Sequence, residues 1–268
     1  MKIIQQTNKT HTQMMGYTIQ AKTGEILVID GGNKNDKDEL KRVIKKLGSR
    51  VHLWLITHPH SDHHDAVMEV IKESDDITYD KLGASQLPDE WAEKAKVKDA
   101  EELLAWNAFA REHLDERYFN VKKGQVFQLG SMKIEVIGEC NPEILTNPIN
   151  NQSAVYRITE EDFTFLVLGD LGVEAGEKLI NSGESVCADG VQMAHHGQRG
   201  VNEEFYQAVK PTYCFWPTPD WLWNNSVPGW SFKTPETAFW MKKLNTVNIL
   251  NFDYTIMFDT ETKEITEF

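Results

Sequence analysis

Apolar residues in this chain come in short runs separated by turn formers, and the spacing inside each run predicts an element. Residues 2–7, 15–21 and 25–29 read as strands, the last closing on Asp30, Gly31 and Gly32. Leu40, Val43, Ile44 and Leu47 recur at the helical period, so residues 36–47 read as an amphipathic helix stopped by Gly48. The run 51–56 reads as a buried strand, and a helical segment follows from about Asp65. Residues 77–84 read as a further strand, after which a charged, helical insertion spans 88–119. There Leu103, Leu104, Trp106, Phe109, Ala110, Leu114 and Tyr118 give an uneven apolar face, which predicts packing over one edge of a sheet. An inserted segment of this kind is where a lid or substrate wall could sit, and its His113 reads as exposed.

A hairpin is expected from 125–129 and 133–138 around Gly130 and Ser131. Residues 139–152 carry Asn141, Pro142, Asn147, Pro148, Asn150 and Asn151, too many turn formers for a regular element. Strands are expected at 153–158 and 163–168, the second a continuous apolar run ending at Gly169 and Asp170. A short helix at 172–181 and a strand at 190–194 lead to His195, His196 and Gly197. Helices at 202–209 and 235–244 then alternate with strands at 212–216 and 247–251, before a terminal hairpin at 254–258 and 264–268. Five of the eight tryptophans, Trp216, Trp221, Trp223, Trp230 and Trp240, fall in this last part. Beside Pro217 and Pro219 they read either as core filler over an edge or, for Trp216 and Trp221, as a pocket wall for a ring or base. No internal repeat or linker interrupts the pattern, so one domain over 1–268 is expected.

Composition narrows the function classes. A chain of 268 residues with 40% apolar and 26% charged content is ordinary for a globular protein. The net charge of −13 weighs against gripping nucleic acid or an anionic membrane by electrostatics, since phosphate contacts need Lys and Arg. No run approaches the roughly 20 apolar residues of a membrane span, and the first residues lack a signal-peptide core. A cytoplasmic protein with no membrane partner is the expectation. Cys140, Cys187 and Cys214 are widely spaced, without a C-x-x-C, and suggest neither a disulfide framework nor a cysteine zinc site.

The chemistry concentrates in two histidine clusters, which hold six of the nine histidines. His58, His60, Asp62, His63 and His64 lie between a buried strand and a helix, where imidazoles and a carboxylate are the usual ligands of Zn²⁺ and similar ions. His58 and His60, two apart in an extended turn, point to one side, while Asp62 and His63 project together at the helix start. Two such pairs suit a two-ion site with a bridging hydroxide. Asp170, a carboxylate at the end of a buried strand, reads as a further ligand. His195 and His196 point in different directions; the reading favours His195 as ligand and leaves His196 to bind a phosphate or act as an acid.

The order of Asp30-Gly-Gly, H-x-H-x-D-H, Gly169-Asp170 and a late His resembles the metallo-β-lactamase superfamily over essentially the whole chain. More narrowly, Asn150 to Ser153, residues 163–170 and His195-His196-Gly197 resemble the stand-alone metallo-hydrolase domain related to ComEC. The resemblance implies an α/β fold, a four-layered αββα sandwich with the metals at one end of its sheets. It also implies that His58 and His60 hold one ion, that Asp62, His63 and His195 or His196 hold the other, and that Asp170 bridges. Asp30 becomes a partner that orients the metal loop. One departure stands out: the superfamily's further histidine before the bridging Asp is missing, its place taken by the segment Asn151 to Ser153. His64, Asn151 and Ser153 are therefore expected around the ligands or near substrate.

These features predict a hydrolase with two divalent ions, Zn²⁺ first, with Mn²⁺ or Fe²⁺ as alternatives. Asp62 would orient the attacking water, and His196, if not a ligand, would donate to an oxyanion or leaving group. A small-molecule or nucleotide-type phosphodiester is the expected substrate, with nucleic acid open but not favoured by charge. Thioesters, lactones or β-lactams form the second class, and a redox diiron protein or a non-catalytic metal-binding module the third. The oligomeric state is left open.

Overall fold

The computed structural model describes residues 1–73, 76–95 and 100–268. The first part of the chain lays down β1 (Lys2–Gln5), β2 (Gly16–Gln20), β3 (Ile26–Asp30), α1 (Lys37–Lys46), β4 (Arg50–Val51), β5 (Leu53–Ile56) and α2 (Ser61–Glu73). It continues through β6 (Thr78–Tyr79), β7 (Leu82–Ala84), α3 (Asp89–Ala95), α4 (Ala100–His113) and β8 (Tyr118–Asn120). The second part contributes β9 (Val126–Leu129), β10 (Met132–Gly138), β11 (Val155–Glu160), β12 (Phe163–Val167), α5 (Val173–Asn181), β13 (Gly190–Gln192) and α6 (Glu203–Val209). It ends with β14 (Tyr213–Trp216), α7 (Asp220–Trp223), α8 (Thr234–Lys243), β15 (Val247–Leu250), β16 (Ile256–Asp259) and β17 (Ile265–Glu267).

Among the described residues, one sheet runs β17-β16-β1-β2-β3-β5-β7-β8 and the other β15-β14-β13-β12-β11-β10-β9, with β4 and β6 as a separate pair. The strand sequences explain the layering. In β3, Leu27 and Ile29 face the other sheet, while Ile26 and Val28 pack under α1, α2 and α4 with Leu40, Val67 and Trp106. β12 does the same in mirror fashion: Phe163, Phe165 and Val167 point between the sheets, and Leu166 meets α5 and α6 through Leu179 and Phe205. Strands covered on both faces are apolar on both, which is why Ile26–Ile29 and Phe165–Leu168 are continuous apolar runs rather than alternating ones, with half-buried Thr164 only at the start of β12. The result is the four-layered αββα sandwich. Its central layer is aromatic-rich, with Phe165 against Tyr17 and Phe215 at ring separations of 5.7 and 4.9 Å. Truncating Phe165 to Ala there would cost about 3–5 kcal/mol.

The insertion differs from expectation in detail. Within 88–119 the structure has α3 and α4, residues 96–99 of the expected helix lying outside the described residues. Tyr118 and Phe119 belong to β8, paired in parallel with β7, not to a helix. Packing over the edge strands does hold: Trp106 stands edge-on to Tyr118 at 6.4 Å and is fully buried. The strand expected at 77–84 is broken between β6 and β7, which join different sheets. Residues 220–223, between the strand expected at 212–216 and the helix expected at 235–244, form the short α7, with Pro219 supplying an extended N-cap. No helix among the described residues is long and apolar enough to cross a membrane.

Candidate metal centre

The first histidine cluster sits where β5 leaves its sheet. Thr57 follows the strand and His58 sits at a bend, and α2 then starts under the carbonyl of His60, which accepts from His63 N at 3.0 Å and His64 N at 3.2 Å. Asp62 thus occupies the first helical turn, where the exposed backbone N–H groups favour a carboxylate. A second carboxylate reaches this terminus from α4, since Glu102 accepts from Ser61 N. Asp30, fully buried at the end of β3, fixes the loop from beneath. Its Oδ1 accepts from Thr57 N at 2.7 Å, and its Oδ2 meets Thr57 Oγ1 and His63 Nδ1, each at 2.7 Å. A carboxylate there keeps the proton on His63 Nδ1 and leaves Nε2 as a lone pair.

The facing groups come from the second sheet. After β12, Gly169 turns at φ +57°, and a Cβ there would meet Thr57 Cβ at 2.8 Å and Ser153 Oγ at 2.9 Å, so only glycine lets the two loops approach. The next residue, Asp170, is buried and points at the first cluster. Its Oδ1 lies 3.3 Å from His63 Nε2, and its Oδ2 lies 3.5, 3.6 and 4.0 Å from Nε2 of His196, His195 and His58. Ser153 Oγ accepts from Asp170 N at 3.0 Å. Asn151 Oδ1 accepts from Gly172 N at 3.1 Å and Ala175 N at 3.3 Å, tying the same turn to the start of α5. Asn151 and Ser153 therefore hold the backbone that carries Asp170, consistent with a supporting place around the site.

Two triplets of ligand atoms result, each drawn within 4.8 Å: His58, His60 and Asp170, and Asp62, His63 and His196. The second contains a correction. His195 was expected beside Asp62 and His63, but His196 stands there, with Nε2 at 3.0 Å from Asp62 Oδ2. Both histidines adopt left-handed backbone, at φ 50° and 53°, so strand alternation no longer decides which way each points. The choice is made by the Pro217 carbonyl, which takes the proton of His196 Nδ1 at 2.9 Å, and by Thr218 Oγ1, which donates to the His196 carbonyl at 2.7 Å. His195 is left at the rim, its side chain 17% exposed.

The remaining expected residues lie elsewhere. His64, one helical step past His63, faces away and packs on Trp106 at 5.3 Å. Trp216 is fully buried, its indole against Gly197 and Trp223. Trp221 is half-buried and donates its Nε1 proton to the His11 carbonyl at 2.8 Å. His113 is exposed on α4. Gln192 was not singled out from sequence, yet it is completely buried and holds the Asp170 loop from both sides. It accepts from Leu168 N at 2.8 Å and donates to the Gly169 carbonyl at 3.0 Å. A lone glutamine inside the apolar run of β13 was the available signal.

The electrostatics suit a cation. Burial and the neighbouring His63 hold the His58 imidazole well below its ordinary range. Burial pushes the Asp62 carboxyl up, but His63 and His196 outweigh it and bring it down to about 2. Asp170 is likewise driven well below the carboxylate range: burial opposes ionisation, and His196 and His63 overcome it. Burial lowers His63, yet Asp170, Asp62 and Asp30 raise it well above the usual value, and His196 is raised in the same way. Buried carboxylates thus draw positive charge into the centre. Among the described residues, His63 Nε2, His196 Nε2 and Asp170 Oδ1 are buried without a hydrogen-bond partner. Lone pairs and carboxylate oxygens converging without partners fit divalent ions.

Solved structures share this architecture. The metallo-β-lactamase fold protein YhfI from Bacillus subtilis aligns over 97% of this chain and 100% of its own, with a TM-score of 0.59 and 12% identity. This chain has the metallo-β-lactamase fold. The E377D mutant of CmlA β-hydroxylase also aligns, over 93% of this chain and 52% of its own, with a TM-score of 0.59 and 11% identity. In sequence, ComE operon protein 3 of Bacillus subtilis (strain 168) is 29% identical over 92 residues, which is 34% of this chain and 12% of that protein. No protein-family model matches the chain.

Proposed function

We propose that this chain is a metal-dependent hydrolase that cleaves phosphodiesters at a two-ion centre. The observation that carries the reading is Asp170, whose two oxygens stand between the His58–His60 triplet and the Asp62–His63–His196 triplet. His58, His60 and Asp170 would hold one divalent ion, and Asp62, His63 and His196 the other, with Asp170 shared. Zn²⁺ is the first expectation, with Mn²⁺ or Fe²⁺ suiting the same imidazole and carboxylate donors. When bound, two such ions would make hydroxide available near neutral pH and would stabilise charge on the group under attack.

The chain's own groups supply the rest. Asp30 keeps the His63 proton on Nδ1, and the Pro217 carbonyl does the same for His196, so both Nε2 atoms face inward. With His196 engaged, the remaining imidazole is His195, which burial holds below its ordinary range, and we assign it a neutral hydrogen-bond donor's part toward a departing oxygen. The ion held by His58, His60 and Asp170 would have only three protein ligands, which leaves room for an oxygen-rich substrate and favours phosphodiesters over thioesters and lactones. A small or nucleotide-type diester suits the charge of −13 better than a long nucleic acid. Cys140, Cys187 and Cys214 are free thiols, which suits a reducing compartment, and we place the protein in the cytoplasm. The core shared by both sheets supports treating residues 1–268 as one domain.

The test is metal content of protein purified without chelator, together with bis-p-nitrophenyl phosphate turnover by the wild type and Asp170→Ala. About two ions per chain and turnover lost in the variant would support the proposal. Failure to bind ions after reconstitution would overturn it, and bound ions without turnover would redirect the search to thioesters and lactones.

A further inference from the structure

The four histidines of the two triplets are not equally supported. His58 Nδ1 meets Thr57 Oγ1 at 3.1 Å, His63 Nδ1 meets Asp30 Oδ2 at 2.7 Å, and His196 Nδ1 gives its proton to the Pro217 carbonyl at 2.9 Å. A metal-bound imidazole is ordinarily turned and held by such a partner on its other nitrogen. His60 is the exception. Among the described residues, its ring makes a hydrogen bond only with His58 Nε2, at 3.0 Å, and His58 is itself an expected ligand of the same ion. His60 is also half-buried, whereas the other three are buried.

Support reaches His60 through the backbone instead, and the inserted segment engages both of its chain neighbours. On one side, Ser61 N donates to the Glu102 carboxylate of α4. On the other, buried Pro59 lines a void too small for water together with Leu103, also of α4, and with Leu87 and Ile149. Leu87, Leu103 and Ile149 pack with Ala92 of α3 in one apolar cluster. The base of this grip is firm, because α4 buries Trp106 against α2, where it meets the His64 ring at 5.3 Å. A residue pinned on both sides loses little further entropy when its ring takes up a ligand's orientation, and a residue in a loose loop loses more.

We infer that Glu102 is a positioning residue for His60, and that the inserted segment thereby sets how tightly the ion of the His58, His60 and Asp170 triplet is held. The inference rests on the two-ion reading and adds an asymmetry to it. The Asp62, His63 and His196 triplet is braced by Asp30 and Pro217, whereas the other triplet depends on the insertion for one of its three ligands.

The experiment uses the full chain and Zn²⁺, with affinity read by competition against a chromophoric chelator. Two backgrounds separate the ions: His196→Ala keeps the His58 triplet whole, and His60→Ala keeps the other. In the first, Glu102→Ala should weaken Zn²⁺ by about tenfold, the low end of what removing a group that orients a metal-bound histidine does. Glu102→Gln, whose amide oxygen still accepts from Ser61 N, should restore most of that loss. In the His60→Ala background Glu102→Ala should change affinity by less than about twofold, since the residue it acts through is gone. Amide hydrogen exchange at residues 60–63 of the chelator-treated protein, a readout that needs no ion, should quicken in Glu102→Ala and return toward the wild-type rate in Glu102→Gln. Equal losses in both backgrounds, no loss in either, or a Gln variant no better than Ala would overturn the inference. A wild type that binds no Zn²⁺ would overturn the two-ion reading and the inference with it, whereas a wild type holding two ions whose affinities ignore Glu102 would overturn the inference alone.

Discussion

Replacing Asp30 by Asn probes the support of the centre without touching its expected ligands. Asn has nearly the same shape and tolerates the left-handed backbone of residue 30 at φ 56° as well as Asp does, so the backbone cost cancels. Hydrogen bonding does not cancel. Thr57 N, Thr57 Oγ1 and His63 Nδ1 all converge at 2.7 Å on the carboxylate, and an amide replaces one accepting oxygen with a donor. If the NH₂ takes the Oδ1 place, it faces Thr57 N–H, and an unpaired buried donor costs about 1–3 kcal/mol. If it takes the Oδ2 place, His63 must accept at Nδ1 and carry its proton on Nε2, the atom 3.3 Å from Asp170. Either way His63 is a poorer ligand, and metal affinity should fall by roughly 10- to 100-fold, as for other residues that orient a metal-bound histidine. The assay is competition against a chromophoric chelator at fixed pH, with urea denaturation of the metal-free protein alongside. An affinity within twofold of wild type, with stability lowered, would refute the tautomer argument and reduce Asp30 to a structural strut.

Other outcomes follow from contacts described above. Gly169→Ala forces a Cβ into Thr57 and Ser153 at a left-handed residue, and should cost about 2–4 kcal/mol in urea unfolding; a loss under 0.5 kcal/mol would contradict the close approach. His196→Ala should reduce bound metal by about one ion per chain, whereas His195→Ala should retain both, as elemental analysis can read directly. Glu39, buried on α1, accepts from Arg42 Nε and Nη2 at 2.9 and 2.7 Å and from Thr255; burial pushes its carboxyl up, but these bonds win and hold it below the ordinary range. Its contribution is then fully present above the unfolded carboxyl pKa of roughly 4.3 and is lost as pH falls through the lower folded value. Glu39→Gln should cost about 1.5–3 kcal/mol near neutral pH and flatten that part of the acid limb; an acid limb of unchanged steepness would count against it.

How much of this could be read from the chain depended on how local each feature is. H-x-H-x-D-H is contiguous, and its flanking strand and helix were visible in the same window, so both the cluster and its position came through. Asp170 could be singled out as a carboxylate closing a buried run, and the structure brings it up to the first histidine cluster. The choice between His195 and His196 did not, because it depends on Pro217 and Thr218, which reach His196 only in the folded chain. Tyr118 was misread because it falls four residues after Leu114 and continues the helical period, while its β pairing with Leu82 is a long-range contact. The αββα layers came from the resemblance to the metallo-β-lactamase superfamily, and the packing of β3 and β12 on both faces agrees with them. The support from Gln192 and Glu102 was hidden, since each acts on an element distant in sequence.

Each candidate triplet takes residues from both sheets, His58 and His60 with Asp170 in one, Asp62 and His63 with His196 in the other. That arrangement makes ion uptake a late event in the life of the chain. A nascent polypeptide ending before Asp170 offers an ion only the ligands of one loop, and high affinity has to wait until His196 has emerged and the second sheet has docked. Ions would then act as rivets across the seam, withheld from half-made chains and released early if the sheets begin to part. Protease sensitivity of the seam should therefore rise on chelation before secondary structure is lost.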